Sequence, residues 1–406
     1  MSGLRLGTLA LGLALGWAGG ATAQISDNVV RIAVMNDQSG QYSDPAGLGS
    51  VSAAQVAIDE FGGKVAGARI ELVPIDHQNK ADIAATQARQ LYDERGFDVI
   101  ADLANSAVSL AVQEIGRERG KVVLHVGSAH ADLYGKACSP VGALWIYDTY
   151  ALAQGLTRAV FQDGGKTWYF VTADYAFGKA IQEEVGKILA SLGGAIIGSV
   201  LHPVSTPDFS SYLLQAQASK AKIVALANAG QDTPNAIKQA SEFGITKAGQ
   251  KLAVLIFYLT SVKAVGADAA QGLQYLTAYY WDHDEASRAF AKKYAALQNG
   301  RMPTQNQAGV YSAVRHYLKA VEAAKSDKGL DVMRKMKELP VDDFIGRGAR
   351  IRPDGRLQND MMLAEVKAPK DVKSEWDLLS IRQTVKGAEL VRPIAEGGCK
   401  HLDPAQ

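Results

Sequence analysis

Short apolar runs alternate along this chain with stretches whose apolar residues recur every three to four positions, predicting strands and helices in turn. The first series places strands at 29–34, 70–75, 99–103 and 122–126, with helices at 50–61, 81–95 and 107–119. A second series opens near Thr149, with helices at 150–162, 178–192, 209–219 and 234–243. Its strands fall at 167–172, 195–201, 223–227, 252–257 and 272–278. Regular strand–helix alternation means βαβ units and parallel sheets, so the two series predict two α/β lobes of like topology. After Trp281 the pattern turns helical at 285–297, 306–324 and 332–337. The section 348–394 differs again, with short strands expected at 350–352, 361–367 and 376–384 and a turn at Pro353-Asp354-Gly355.

The segment before the first strand is of another kind. Arg5 precedes the apolar run 6–17, which closes on the small residues Ala21-Thr22-Ala23. This is the pattern of a secretory signal, 1–23, cleaved before Gln24. The run is too short to span a bilayer, and no later stretch approaches the roughly eighteen apolar residues a span needs. With Gln rather than Cys at position 24, no lipid-anchor site stands at the cleavage point. The expected location is the periplasm, without stable membrane insertion, and out of reach of cytosolic ATP and most nucleotide cofactors. The remaining chain of about 380 residues is too long for one ordinary core and fits two domains.

Charge adds little. With 43 basic and 42 acidic residues the net charge is +1, which offers no footprint for nucleic acid or an anionic membrane surface. The two cysteines, Cys138 and Cys399, stand too far apart for a metal knuckle or CxxC motif. In an oxidising compartment they are either two buried thiols or a disulfide that ties the C-terminal tail to the loop 137–140. No HExxH, Walker-type, GxSxG or strand-linked GxGxxG motif occurs, so no catalytic centre, metal or cofactor is expected. The acidic cluster Trp281-Asp282-His283-Asp284-Glu285 reads as a cap for the helix starting at Glu285. His77, His125, His130 and His202 read as loop or core hydrogen-bonders.

Five segments carry a family likeness: Arg31-Ile32-Ala33-Val34 through Ser39-Gly40; 67–74 with Asp76; Asn105-Ser106; Ala173-Asp174-Tyr175-Ala176-Phe177-Gly178; and Asp208-Phe209-Ser210. In this order they resemble the periplasmic solute-binding proteins of ABC importers, specifically the branched-chain amino acid (Leu/Ile/Val) group, the type I periplasmic binding proteins. The resemblance implies an α/β fold of two Rossmann-like lobes with parallel sheets joined by a three-strand hinge. The N-terminal lobe would comprise 24–148 and 282–346, the C-terminal lobe 149–281 and 347–395, and the tail 396–406. It further implies a monomer whose ligand lies in the interlobe cleft, with hinge closure presenting the closed form to the permease.

Strand carboxyl ends and helix N-termini are where open parallel sheets collect ligands. Asn105 and Ser106 after strand 99–103, and Gly127, Ser128 and Ala129 after strand 122–126, resemble the family's carboxylate clamp. Ser106 is alternatively a plain helix cap. Amino-acid binders of the family place an acid after a second-lobe strand; the matching stretch 256–260 has none and offers Tyr258. The expected clamp hydroxyl falls near Ala129 or Ser128, and an expected tyrosine near Ala229. A free α-amino acid therefore fits less well than an aromatic acid such as a benzoate or hydroxycinnamate, held by aromatic walls and a carboxylate clamp. Tyr42, Tyr147, Tyr150, Tyr175, Phe177, Tyr258, Tyr280 and Trp281 supply candidate walls, some of them core. The runs 104–112, 147–150 and 228–232 resemble the aromatic-compound subgroup. Asn228 joins the expected site, and Asp148 and Asp232 either accept from a ligand hydroxyl or serve as hinge or cap. The alternatives are a binder of branched-chain or other hydrophobic amino acids or amides, a ligand sensor for a receptor, and a periplasmic hydrolase.

Overall fold

The protein is described by a computed structural model covering residues 25–402, so the expected signal 1–23 lies outside the described residues. The first series forms β1 (Val29–Asn36), α1 (Gly47–Glu60), β2 (Lys64–Val65), β3 (Ala68–Asp76), α2 (Ala81–Asp93), β4 (Val99–Asp102), α3 (Ser106–Arg119), β5 (Val122–His125) and β6 (Gly142–Leu144). These strands make a six-stranded sheet in the order β2-β3-β1-β4-β5-β6, parallel except for β2. The central strands β4 and β5 are buried along their whole length, which is why their sequences read as unbroken apolar runs.

The second series forms α4 (Thr149–Gln162), β7 (Thr167–Ala173), α5 (Ala176–Ser191), β8 (Ala195–His202), α6 (Ser210–Ala218), β9 (Ile223–Ala227), α7 (Asp232–Glu242) and β10 (Lys251–Val254). Its four strands are parallel in the order β10-β9-β7-β8. Edge strand β8 alternates exposed and half-buried positions, as a strand with one free side should.

The chain then runs through α8 (Leu259–Val265), α9 (Ala267–Ala270) and β11 (Gln274–Thr277) before returning to the first sheet with α10 (Glu285–Leu297), α11 (Gln305–Ala324) and α12 (Gly329–Glu338). Helix α11 packs on α1, and α12 on α11. Strands β12 (Met361–Val366) and β13 (Leu379–Val385) go back to pair antiparallel with β11, in the order β11-β12-β13. The result is the type I periplasmic binding protein fold, two lobes crossed three times by one chain. The strand expected at 350–352 is absent. Ile351 only bridges Leu357, and Arg356 bridges Leu144 beside β6, because the Pro353-Asp354-Gly355 turn folds this segment back on the first sheet. The short elements β2, β6, α8 and α9 have no counterpart in the sequence reading; at two to seven residues they are too short for a periodic pattern to show.

Buried polar chemistry concentrates at the first crossing. Asp148 caps α4 by accepting from the Ala151 N–H at 2.9 Å and pairs with Arg356 Nε at 2.6 Å, both side chains being essentially inaccessible. Arg356 also donates to the Trp145 carbonyl at 2.6 Å, and Asn359 to that of Ile146 at 3.1 Å. Asp148 is thus a hinge and cap residue, which removes it from the ligand candidates. Cys138 and Cys399 are joined by a disulfide, their Cα atoms 5.5 Å apart, so the tail is tied to the first lobe. Asp284 caps α10 through the Ser287 N–H at 2.8 Å, as read from the acidic cluster. Tyr280 and Trp281 pack toward the three-stranded sheet, where Trp281 donates to the Trp376 carbonyl at 2.8 Å; they are core, not cleft.

Candidate functional site

The carboxyl ends of β4 and β5 bring two loops together. Asp102 and Leu103 both have φ in the left-handed region, at 83° and 57°, an uncommon conformation for non-glycine residues that clusters at functional sites. The bend lets the Asp102 carbonyl accept from the Val126 and Gly127 N–H groups, at 3.0 and 3.1 Å, tying one loop to the other. Gly127 is required there: a Cβ would come within 2.5 Å of Asn306 Nδ2 and 2.7 Å of the Ala104 Cβ. Its N–H, however, is committed to Asp102 and is not a free clamp donor.

Asn105, not Ser106, caps α3. Its Oδ1 accepts from the N–H groups of Ala107 and Val108 at 2.8 and 3.2 Å, while its Nδ2 donates to Asn79 at 2.6 Å. Ser106 is therefore the first helical residue, with neither its N–H nor its hydroxyl engaged by the described residues. On the neighbouring loop the Ser128 hydroxyl is buried and has no hydrogen-bond partner among the described residues. Ala129 is buried beside it, its carbonyl accepting from Thr149 N–H. Two uncommitted hydroxyls thus stand beside a helix N-terminus, where backbone N–H groups and the helix dipole favour negative charge.

Four tyrosines from four separate loops gather nearby, Tyr147 reaching the Gly127 carbonyl at 3.5 Å. The Tyr42 and Tyr175 hydroxyls are 2.7 Å apart, and those of Tyr147 and Tyr258 are 3.1 Å apart. Tyr147 donates to Asn306 Oδ1 at 3.0 Å; Asn306 Nδ2 donates to Asp102 at 3.3 Å, and Asn36 Nδ2 to Asp102 at 2.7 Å. Burial raises every one of these phenols above the usual tyrosine value and raises the Asp102 carboxyl to about 6. Phe177 is buried with its ring centroid 6.0 Å from that of Tyr175.

The lobes meet through Gln41. Its Nε2 donates to the Ala229 carbonyl at 3.0 Å, its Oε1 accepts from Ser205 at 3.2 Å, and its carbonyl accepts from Gln231 N–H at 3.2 Å. Gly230, at φ 61°, makes the approach possible, since a Cβ would stand 2.6 Å from the Gln41 carbonyl oxygen. Asp232 opens α7 in the same place, accepting from the Ser205 N–H at 3.0 Å. Asn228 is buried and tied to Thr233 and His202 within the second lobe, so it supports this loop.

Tyr150 stands apart. It lines a groove of about 660 Å³ with His130, Lys179 and Glu183, and its ring lies under the Arg392 guanidinium at 5.3 Å. None of the four clustered tyrosines lines that groove. The histidines hold structure: His125 bonds Gln113 at 2.8 Å, and His130 and His77 accept from nearby backbone N–H groups. Among the described residues no group of three or more His, Cys, Asp or Glu is placed to hold a metal ion, and no helix is long and apolar enough to cross a membrane. Sequence reasoning missed Asp102 and Asn306. The one available signal was the polar run Thr304-Gln305-Asn306-Gln307 opening an apolar helix, all four of which are buried.

Two α/β lobes closed on a buried, partly unsatisfied polar site describe a ligand-capturing protein. The profile of the family described as "Periplasmic binding protein" matches residues 29–372, and the chain belongs to that family. It is similar to a periplasmic binding protein from Burkholderia mallei, at 44% identity and TM-score 0.89, covering 92% of this chain and 99% of the other. It is also similar to a branched chain amino acid ABC transporter periplasmic ligand-binding protein from Burkholderia xenovorans, at 38% identity and TM-score 0.82 over 92% and 99% of the two chains. At 20% identity, TM-score 0.80 and coverage of 92% and 99%, it shares its fold with an ABC transporter solute-binding protein from R. palustris solved with benzoate.

Proposed function

We propose that the protein is the periplasmic solute-binding component of an ABC uptake system. It captures a small carboxylate, specifically an aromatic acid such as a benzoate or hydroxycinnamate derivative, between its lobes and delivers it to the permease without chemical turnover. The observation that carries this reading is the pair of uncommitted hydroxyls, Ser106 and Ser128, at the N-terminal end of α3 and near the tyrosine cluster. A carboxylate placed there receives charge-assisted hydrogen bonds and the positive end of the helix dipole. The tyrosine rings supply apolar contact and hydroxyl partners. The benzoate bound by the R. palustris protein supports the aromatic choice.

A branched-chain amino acid is the second reading. The name of the B. xenovorans relative and the buried Asp232 carboxylate, able to receive an ammonium, favour it. Thermal melts and titration calorimetry with benzoate, 4-hydroxybenzoate, a hydroxycinnamate and leucine test the choice. At a hundredfold excess over Kd, a ligand stabilises the bound form by about 2.7 kcal/mol. A shift by the aryl acids is expected. A shift by leucine alone turns the assignment to the second reading, and no shift by any overturns both.

A further inference from the structure

Two polar atoms from opposite lobes are buried at this site without a hydrogen-bond partner among the described residues: Ser128 Oγ in the first lobe and Asp232 Oδ1 in the second. They differ in what they need. A hydroxyl can donate to an anion, whereas a carboxylate oxygen only accepts. Asp232 is 1% exposed. Its Oδ2 is satisfied by the Ser205 N–H at 3.0 Å, and the Gln41 amide lies alongside. No lysine or arginine is among the groups that act on it, and its burial holds the carboxyl up at about 6. Geometry sets it beside the tyrosine cluster: Ser205, which donates to it, also bonds Gln41, and the next residue, Tyr42, pairs with Tyr175. A buried carboxylate with one free oxygen and no cation is costly, and the cost is relieved by a ligand that brings a donor.

We infer that Asp232 is a specificity-determining residue that reads a hydrogen-bond donor on the ligand, on the second-lobe side of the carboxylate held by Ser106 and Ser128. This rests on the carboxylate-binding reading above and narrows it. The ligand class is a small acid carrying a second, donor-bearing group, either a hydroxyl or an ammonium. A site that hydrogen-bonds such a group rejects the analogue lacking it far more strongly than an apolar pocket rejects a missing methylene, because its own polar atom is then left unpaired.

The test uses two matched series on the full mature chain: benzoate, 4-hydroxybenzoate and 4-(aminomethyl)benzoate; and 4-methylpentanoate, 2-hydroxy-4-methylpentanoate and leucine. Calorimetry on the wild type should give at least one donor-bearing acid bound tenfold or more tightly than its unsubstituted parent. In Asp232→Asn, which keeps an oxygen for the Ser205 N–H, that ratio should collapse to within about twofold of unity for an ammonium ligand, whose charge partner is lost; for a hydroxyl ligand it should fall at least fivefold. Ser128→Ala should weaken the parent and the substituted acid by the same factor. The series thus also tells hydroxyl from ammonium. A ratio in Asp232→Asn equal to that of the wild type overturns the role of Asp232. Parent acids binding as tightly as their substituted partners overturn it too, while leaving the carboxylate reading intact. If none of the six acids binds, both readings fall.

Discussion

Two carboxylates, Asp148 at the first crossing between the lobes and Asp232 in the cleft, are equally inaccessible and differently treated. Asp148 has an arginine at 2.6 Å, a helix N-terminus and the Tyr134 hydroxyl at 3.3 Å; both its oxygens are engaged. Asp232 accepts from the Ser205 N–H on one oxygen, with the Gln41 amide and the Thr206 N–H alongside, and its other oxygen has no hydrogen-bond partner among the described residues. A buried polar group that the fold fully satisfies belongs to the architecture. One that the fold leaves unsatisfied is destabilising unless something else arrives. The hinge and the cleft are made from the same residue types, and partner count separates them.

The comparison can be broken most sharply at the hinge. Arg356→Met should cost about 3–5 kcal/mol in urea unfolding, because it strands the Asp148 charge away from water. A loss below about 1 kcal/mol would mean that the pair is not what holds the crossing. Asp232→Asn should act in the opposite direction. The folded-state pKa is raised from 3.8 to about 6, so the folded protein holds this proton more tightly than the unfolded chain does. That contribution is fully present below pH 3.8 and is lost as pH rises through 6. At pH 7.5 the ligand-free variant should therefore be more stable than the wild type by about 1–3 kcal/mol, with the advantage fading toward pH 4. Equal stability at both pH values would remove the contrast with Asp148.

Smaller effects sharpen the picture of closure and clamp. Gly230→Ala places a Cβ against the Gln41 carbonyl and strains a left-handed backbone, which costs about 1–2 kcal/mol. It should weaken ligand binding and leave small-angle scattering of the ligand-saturated protein closer to an open form than the wild type. Ser128→Ala should change the ligand-free stability by less than about 0.5 kcal/mol, since the hydroxyl has no partner to lose. Its ligand affinity should nevertheless fall about ten- to a hundredfold, the worth of one hydrogen bond to a charged group. A stability loss exceeding the affinity loss would move Ser128 from the site to the scaffold.

Much of the fold was legible because parallel strands and their helices carry strong periodicity; β9 (Ile223–Ala227) and α10 (Glu285–Leu297) fall where the pattern puts them. The loops we propose as the clamp could be placed for the same reason, being the segments just beyond the carboxyl ends of β4 and β5. Which residue caps α3 was not, because Asn105 and Ser106 are both good capping residues and only backbone geometry chooses. The tyrosines were visible as a set, but their pairing was not. Tyr42 with Tyr175, and Tyr147 with Tyr258, join loops more than a hundred positions apart.

The sequence by itself determined the two α/β series, the family likeness and the loops that reach the cleft, since local periodicity and turn chemistry act over a few residues. Only the tertiary structure decided that Asp148 is satisfied and Asp232 is not, and that Asn36, Asp102 and Asn306 share one network under the site. It alone set Gly230 against Gln41. The physical reason is that hydrogen-bond satisfaction depends on every group brought within about 3 Å. In a chain that crosses three times between lobes, those groups come from segments no local pattern connects.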